Sequence, residues 1–339
     1  MKTDRNKHQL RGPVRSVQIE TAQLEEQDGQ QVEQHSFIHS YAFDPDGRLV
    51  EYAAHNPDGS TWRTVNDYSD AGQLLATRNF DSSGQPVGGV SYAYDQEGRL
   101  IAERVIAPDG TQTTPTTYVY DDENRQTKIQ TLDVMEETNL MIGIEDTNIA
   151  INATDAGRIE TRYDQQGEAV EVLVYAQDGA LVSRVEIKRD ERGNPLEEIY
   201  YTSDVIPFSS CATEEAAALT EEQRAELAAE IARLFAPGTA MSKHEYRYDE
   251  QGRLVESKMT MMGMIAFHQT FAYDEAGNKI EESSFDEEGK LSNKALFTRE
   301  FDKHGNWTKE IVSTASAWDA EFGLSTPVSV TRRTITYYA

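Results

Sequence analysis

A short segment, aromatic-x-aromatic-Asp-x-x-Gly followed by an apolar run, recurs along this chain, and its spacing limits the possible fold more than any other feature. YAFDPDGRLVEY begins at Tyr41, YAYDQEGRLIAE at Tyr92 and YRYDEQGRLVES at Tyr246. Aligned on this unit, the Asp falls at 44, 70, 95 and 121, then at 164 and 190, then at 249, 274 and 302. A second turn lies midway between anchors: NPDG at Asn56, DSSG at Asp81, APDG at Ala107, AQDG at Ala176 and DEEG at Asp286. The structural unit is therefore one strand plus one turn, and its many copies describe an architecture rather than a repeated active site.

Tyr41 and Phe43, Tyr92 and Tyr94, Tyr118 and Tyr120, Tyr246 and Tyr248, and Phe271 and Tyr273 are each two residues apart. In a strand that spacing puts both rings on one face. The Asp side chain then closes an Asx-type turn, and the Gly three residues on supplies the positive φ of a tight hairpin with a bulge. Rings stacked across neighbouring strands contribute roughly 0.2 to 1 kcal/mol per pair.

Two insertions break the count. The step from Asp121 to Asp164 contains LMIGIEDTNIAI from Leu140, and the step from Asp190 to Asp249 contains TEEAAALTEEQRAELAAEIARLFAPG from Thr213. The second reads as an amphipathic helix: Thr220 and Gln223 form a capping box, Leu227, Ile231, Leu234 and Phe235 an apolar stripe, and Pro237-Gly238 a stop. Its expected role is to cover part of the sheet or one of its edges.

The chain has 339 residues, 32 Lys plus Arg against 59 Asp plus Glu, and a net charge of -27. Such a field repels phosphate backbones and anionic membranes, so nucleic acid is excluded as a partner. Sixteen Tyr, 11 Phe and 3 Trp distinguish it from a disordered acidic chain. One cysteine, Cys211, rules out an intrachain disulfide. No apolar run reaches the length of a membrane helix, so no membrane insertion is expected. The opening MKTDRNKHQL is too polar for a signal peptide. The expected location is the cell envelope or the exterior if a leader was removed before Met1, and otherwise the cytoplasm.

At this spacing the YDxxGRL units resemble the YD repeats of the bacterial RHS family, also found in teneurins. The resemblance spans roughly residues 35 to 312, less the insertions. The flanks, LRGPVRSVQ from Leu10 and GNWTKEIV from Gly305 followed by RRTITYY, are similar to those of short, toxin-less YD-repeat proteins of bacterial envelopes. It implies a long antiparallel sheet of hairpins that coils into a shell. The proline- and aspartate-containing cleavage signature and the variable tail of the toxin-bearing members are missing here, so neither self-proteolysis nor a toxin carries over.

The expected fold is thus mainly β: a long antiparallel hairpin-repeat sheet, coiled or spiral as a partial RHS-like shell, with one inserted amphipathic helix. Long twisted sheets do not stay flat. The segments are 1–34, an N-terminal flank and first strands; 35–130, 161–202 and 243–312, repeat blocks; 131–160 and 203–242, insertions, the second helical; and 313–339, C-terminal strands.

Chemistry is sparse. DPDG at Asp44 and NPDG at Asn56 lack the alternating ligands of a calcium loop and read as turns. His35 and His39 lie in a strand segment, where residues four apart stand about 13 Å from one another, too far for a shared metal. No HExxH, GxSxG or phosphate-loop spacing occurs. Glu281-Glu282 and Glu287-Glu288 are pairs in a chain crowded with acids and read as a solvated face. In KMTMMGMIAF, an extended strand would put Met259 and Met261 on one face and Met262 and Met264 on the other. Thioethers can ligate Cu(I), but packing or a partner surface is the simpler use. Trp62 and Trp307 are either core rings or platforms for sugar rings.

These readings predict a non-enzymatic monomer without cofactors or metal, a repeat scaffold that binds or partly encloses a protein or glycan. Two alternatives stand beside it: an acidic immunity-like inhibitor of a basic toxin, and an envelope glycan-binding protein.

Overall fold

The aromatic-x-aromatic segments end strands and the Asp-x-x-Gly segments reverse them. A computed structural model describes residues 3–27, 30–56, 58–132, 141–143, 150–152, 156–202, 220, 238–316 and 326–339. At Asp44 the backbone N–H donates to the Arg48 carbonyl at 3.0 Å and the Gly47 N–H to the Asp44 carbonyl at 3.0 Å, with Gly47 at φ 87°. This is a type I turn closed by a bulge in which only a residue at ease with positive φ fits. The Asp44 carboxylate accepts from the Arg48 N–H at 2.9 Å and from Arg48 Nε at 2.6 Å. The same double bond joins Asp95 to Arg99, Asp121 to Arg125 and Asp249 to Arg253. The Arg that opens each RL run therefore braces the turn before it.

One anchor lies a residue earlier than the alignment places it. Ser69, not Asp70, begins its turn: Ser69 N–H donates to the Gln73 carbonyl, and the Gln73 N–H to Ser69 Oγ at 3.1 Å.

The chain opens with a single short helix, α1 (Asp4–Lys7), the only helix among the described residues. The strands begin with the long pair β1 (Val14–Gln27) and β2 (Gln30–Phe43). Shorter ones follow: β3 (Leu49–His55), β4 (Thr61–Tyr68), β5 (Leu74–Phe80), β6 (Pro86–Tyr94), β7 (Leu100–Ile106), β8 (Gln112–Tyr120) and β9 (Gln126–Thr131). Two three-residue strands, β10 (Met141–Gly143) and β11 (Ala150–Asn152), form a hairpin of their own. Then come β12 (Ala156–Tyr163), β13 (Ala169–Ala176), β14 (Leu181–Arg189), β15 (Pro195–Thr202), β16 (Ala240–Tyr248) and β17 (Leu254–Met261). The series ends with β18 (Met264–Tyr273), β19 (Lys279–Phe285), β20 (Leu291–Phe301), β21 (Trp307–Ser316) and β22 (Thr326–Tyr337).

The expectation of a coiled or spiral sheet is corrected here. Twenty strands form one antiparallel sheet, and β1 bonds β2 on one side and β22 on the other. The first and last strands are therefore neighbours, and the ladder closes on itself with the connectivity of a barrel, which removes the free edges a spiral would expose. Nothing in a local repeat encodes that closure. It rests on the long-range match of Val14–Gln23 with Ser329–Tyr337. The inserted helix expected over Thr213–Gly238 falls, apart from Thr220 and Gly238, outside the described residues.

The closure also corrects the exclusion of membrane insertion. No helix among the described residues is long and apolar enough to cross a bilayer, but that says nothing of a β-barrel. A closed antiparallel sheet is the other architecture that satisfies its backbone without water, so an argument from helical hydropathy excludes nothing.

The chain divides into two compact units, residues 1–114 with 269–339, and residues 115–268. In each, register and alternation define two faces. One carries the aromatic pairs. The other carries cross-strand ion pairs, such as Arg63 with Glu51 and Arg78 with Asp67 in the first unit, and Arg162, Glu171, Arg184 and Glu186 in the second. Glu171 and Glu186 stand directly opposite one another, a repulsive pairing that the two arginines neutralise.

Candidate functional site

In the second unit, β-branched residues bury part of the aromatic-pair face. Ile159, Val172, Val174, Val185 and Ile187 are buried together with Ala169, and Tyr163 and Tyr200 pack against them. Beyond Ile187 the same face turns polar. Glu198, paired in register with both Ile187 and His244, is buried, as are Tyr246 and Ser257. Tyr246 donates its O–H to Glu198 Oε2 at 2.9 Å and lies 3.0 Å from His244 Nδ1, while His244 Nε2 is 2.7 Å from Ser257 Oγ. With the Tyr246 proton on Glu198, Nδ1 must carry the ring proton, and Nε2 accepts from Ser257. Burial pushes the His244 pKa down, which keeps the ring neutral.

This is the hydrogen-bond order of an activated serine, and nothing in the repeat spacing announces it. The serine itself is enclosed. Ser257 sits mid-strand, opposite Tyr246 in the β16–β17 ladder, and is only 5 % exposed. An acyl-transfer site also needs donors aimed at a developing oxyanion and room for a carbonyl beside the nucleophile. The chain of bonds links three buried residues, Glu198, Tyr246 and Ser257, through the half-buried His244, which lowers the cost of burying them.

In the first unit the aromatic-pair face is filled at one end only. Leu10, Val14, Val17 and Phe43 form a buried cluster with Ile19, Tyr41, Leu49, Ile335 and Tyr337. The N-terminal segment is fastened there at both sides. Arg5 Nη2 donates to the Asp44 carbonyl at 2.9 Å, and the Leu49 N–H to Asp4 Oδ2 at 2.9 Å. Asn306 accepts from the Arg11 N–H at 2.7 Å and donates to its carbonyl at 2.8 Å.

From β4 to β7 that face is open. Trp62, Leu75, Ile101 and Val105 are 45, 42, 37 and 42 % exposed. The register (Thr64↔Asn79, Asn66↔Thr77, Thr77↔Val90, Val90↔Val105, Tyr92↔Glu103) and strand alternation put them on the face of Tyr92. Neutral hydrogen-bonded pairs lie among them: Thr64 donates to Asn79 at 2.9 Å, and Thr77 to Asn66 at 2.9 Å. Asn66 in turn donates to the Leu49 carbonyl at 2.9 Å. The polar groups are thus held in fixed positions beside exposed apolar ones.

The six residues singled out from sequence are scattered. Trp62 is on the open face; Trp307 is part-buried beneath the Arg333 guanidinium. The extended reading of the methionine segment is corrected. The chain reverses at Met262-Gly263, where both residues have positive φ, 51° and 83°, as a two-residue hairpin requires. Met259 faces His244 across the ladder, whereas Met261, Met262 and Met264 crowd the exposed tip with Phe267. No group of three or more His, Cys, Asp or Glu among the described residues could hold a metal ion.

No family model matches the chain, and no curated protein matches it by sequence. Several solved structures are similar to it at low scores. A porin-like protein from Bacteroides uniformis is 9 % identical with a TM-score of 0.35, covering 96 % of this chain and 99 % of its own. The complex TcdB2-TccC3 is 15 % identical with a TM-score of 0.38, over 87 % of this chain, which spans only 13 % of that one. A DUF1329 family protein from Desulfovibrio piger is 8 % identical with a TM-score of 0.23, over 96 % of this chain and 86 % of its own. At these scores the fold assignment rests on the strand pairings.

Proposed function

We propose that this chain is a non-enzymatic repeat β-sheet scaffold, built from RHS-like YD repeats, that binds a glycan on the open aromatic-pair face of β4–β7. One observation carries the reading: Trp62 and its apolar neighbours stand exposed on the face of Tyr92 while fixed Thr–Asn pairs lie between them. Sugar rings present C–H faces that pack on aromatic and aliphatic surface, and hydroxyls that need donors and acceptors already in place; pre-positioned groups lose less entropy on binding. A non-enzymatic role is supported by the closed surroundings of Ser257 and His244, the arrangement most like a nucleophile and its base.

The test is polysaccharide binding by the intact chain and by Trp62→Ala, at low and high salt. Binding that resists salt and falls at least tenfold in Trp62→Ala is expected. Capture of a basic protein that is released at high salt would favour the acidic-inhibitor alternative, which the net charge of -27 motivates.

A further inference from the structure

On β22, Arg333 stands on the aromatic-pair face opposite Ile19 of β1. Its guanidinium lies over the Trp307 ring, with Cζ 3.5 Å from the ring centroid. Nε and Nη1 are shut off from solvent and reach no hydrogen-bond acceptor among the described residues. The nearby carboxylate, Glu310, is engaged by Arg299 through Nε at 2.7 Å and Nη2 at 2.5 Å. Arg299, Arg333 and Glu310 together leave a local charge of +1 inside a chain whose total is -27.

Such a group is expensive. A part-buried cation with two closed-off, unsatisfied donors is costly unless something compensates it, and stacking on an indole supplies no hydrogen-bond acceptor in the guanidinium plane. Burial moves the Arg333 pKa down to about 10, which leaves it charged at neutral pH. His8 and Tyr41 face the same region from the N-terminal segment and β2, and both feel the Arg333 charge. Neither supplies an anion at neutral pH. Buried donors without partners in native proteins point to an ordered water, an ion or a ligand.

We propose that Arg333 is the receptor for an oxyanion, a carboxylate or a group of similar planar geometry. Nη2 belongs to both hydrogen-bonding edges of the guanidinium and is its one nitrogen not closed off. An anion arriving there completes a two-point contact with Nη1 or with Nε, and Trp307 holds the plane. The planar fork makes this a site for bidentate anions over chloride. It is separate from the open face of β4–β7 and does not depend on a glycan binding there.

The experiment uses acetate as the probe. The full chain carrying Trp62→Phe and Trp318→Phe keeps Trp307 as its only tryptophan. Titration with sodium acetate, against sodium chloride at equal ionic strength, should give a saturable change in Trp307 emission that Arg333→Met abolishes. Arg333→Lys should weaken it at least tenfold, because an ammonium lacks the fork. Calorimetry on the unsubstituted chain should show a higher Tm in acetate than in chloride, a difference absent from Arg333→Met. In chloride, Arg333→Met should be at least as stable as the parent, since it removes a buried charge without a partner. Identical behaviour in the two salts, an acetate effect that survives in Arg333→Met, or a large loss of stability of Arg333→Met in chloride would each overturn the assignment.

Discussion

The two units repeat the same turn and the same alternation, yet one buries a β-branched cluster on its aromatic-pair face and the other leaves Trp62 and Val105 exposed on that face. The difference lies eight and ten residues after each Asp or Ser anchor. In the second unit these positions hold Val172 and Val174, Glu198 and Tyr200, and Ser257 and Met259; in the first they hold Thr77 and Asn79, and Glu103 and Val105. Val172 and Val174 are fully buried, whereas Val105 is among the exposed residues. Strand formation is thus set by turn residues and pleat, and the fate of the face by a few positions outside the motif. Binding sites on repeat proteins arise in this way, since the repeat tolerates change wherever the ladder does not depend on it.

The sharpest test of that contrast is the buried chain in the second unit. Tyr246→Phe removes the O–H that donates to the buried Glu198 carboxylate at 2.9 Å. We expect a loss of about 2 to 4 kcal/mol in urea unfolding. Val174→Ala should cost about 2 kcal/mol, as a cavity forms in a closed cluster. The matching changes in the first unit, Thr77→Val and Leu75→Ala, should each stay within about 0.5 kcal/mol. If Leu75→Ala proved as costly as Val174→Ala, the face of β4–β7 would be covered in solution and the contrast would fail.

Acid should affect both units through half-buried histidines. Burial is the leading cause that pulls the pKa of His8 and of His244 below the ordinary 6.5. The unfolded chain therefore takes up these protons first as pH falls. Stability is full above about pH 6.5 and is lost below it, down to the folded-state pKa, with a slope of at most about 1.4 kcal/mol per pH unit for each histidine. The bracing carboxylates act lower. Asp44 is held down against its own desolvation by the Arg48 N–H and guanidinium, so its contribution is present above the unfolded value near 3.8 and is lost as pH falls further. Urea midpoints from pH 7 to pH 4.5 should fall for the parent chain and flatten in part for His244→Asn. An unchanged midpoint over that range would show that both rings are hydrated.

Much of this was legible from sequence because the causes are local. Aromatic spacing of two, an Asx side chain and a Gly at positive φ each act within a few residues. The fit of Tyr68 and Tyr94 was not legible. Their hydroxyls donate to the carbonyls of Leu49 and Leu74 at 2.9 and 2.8 Å, tying each turn to the one before it. The Glu198–Tyr246–His244–Ser257 chain joins residues of three strands on both sides of the insertion at 203–242, so no pattern exists until the register is known. The same holds for Arg333, whose lack of an acceptor depends on where Arg299 and Glu310 meet. The hairpin at Met262-Gly263 could have been found. Second turns start twelve residues after their anchors at Asn56, Ala107, Ala176 and Asp286, and Asp249 puts the next at Met261.

The smallest effect concerns the one anchor that is not an aspartate. Ser69 accepts a backbone N–H as the Asp anchors do, but it has no charge and no second oxygen, and Gln73 stands where Asp44, Asp95, Asp121 and Asp249 are followed by an Arg. Ser69→Asp with Gln73→Arg would install the carboxylate–guanidinium brace seen at Asp95 and Arg99. Exposed pairs of this kind are worth little, and salt screens them, so the gain should be roughly 0.5 kcal/mol at low salt and smaller at high salt. Ser69→Asp alone should recover the backbone part of the brace, and Gln73→Arg alone almost nothing, because the guanidinium then has no carboxylate to meet. A double variant no better than the sum of its two single changes would show that the Arg of each YDxxGRL unit adds little to its turn, leaving Asp and Gly as the residues that make it.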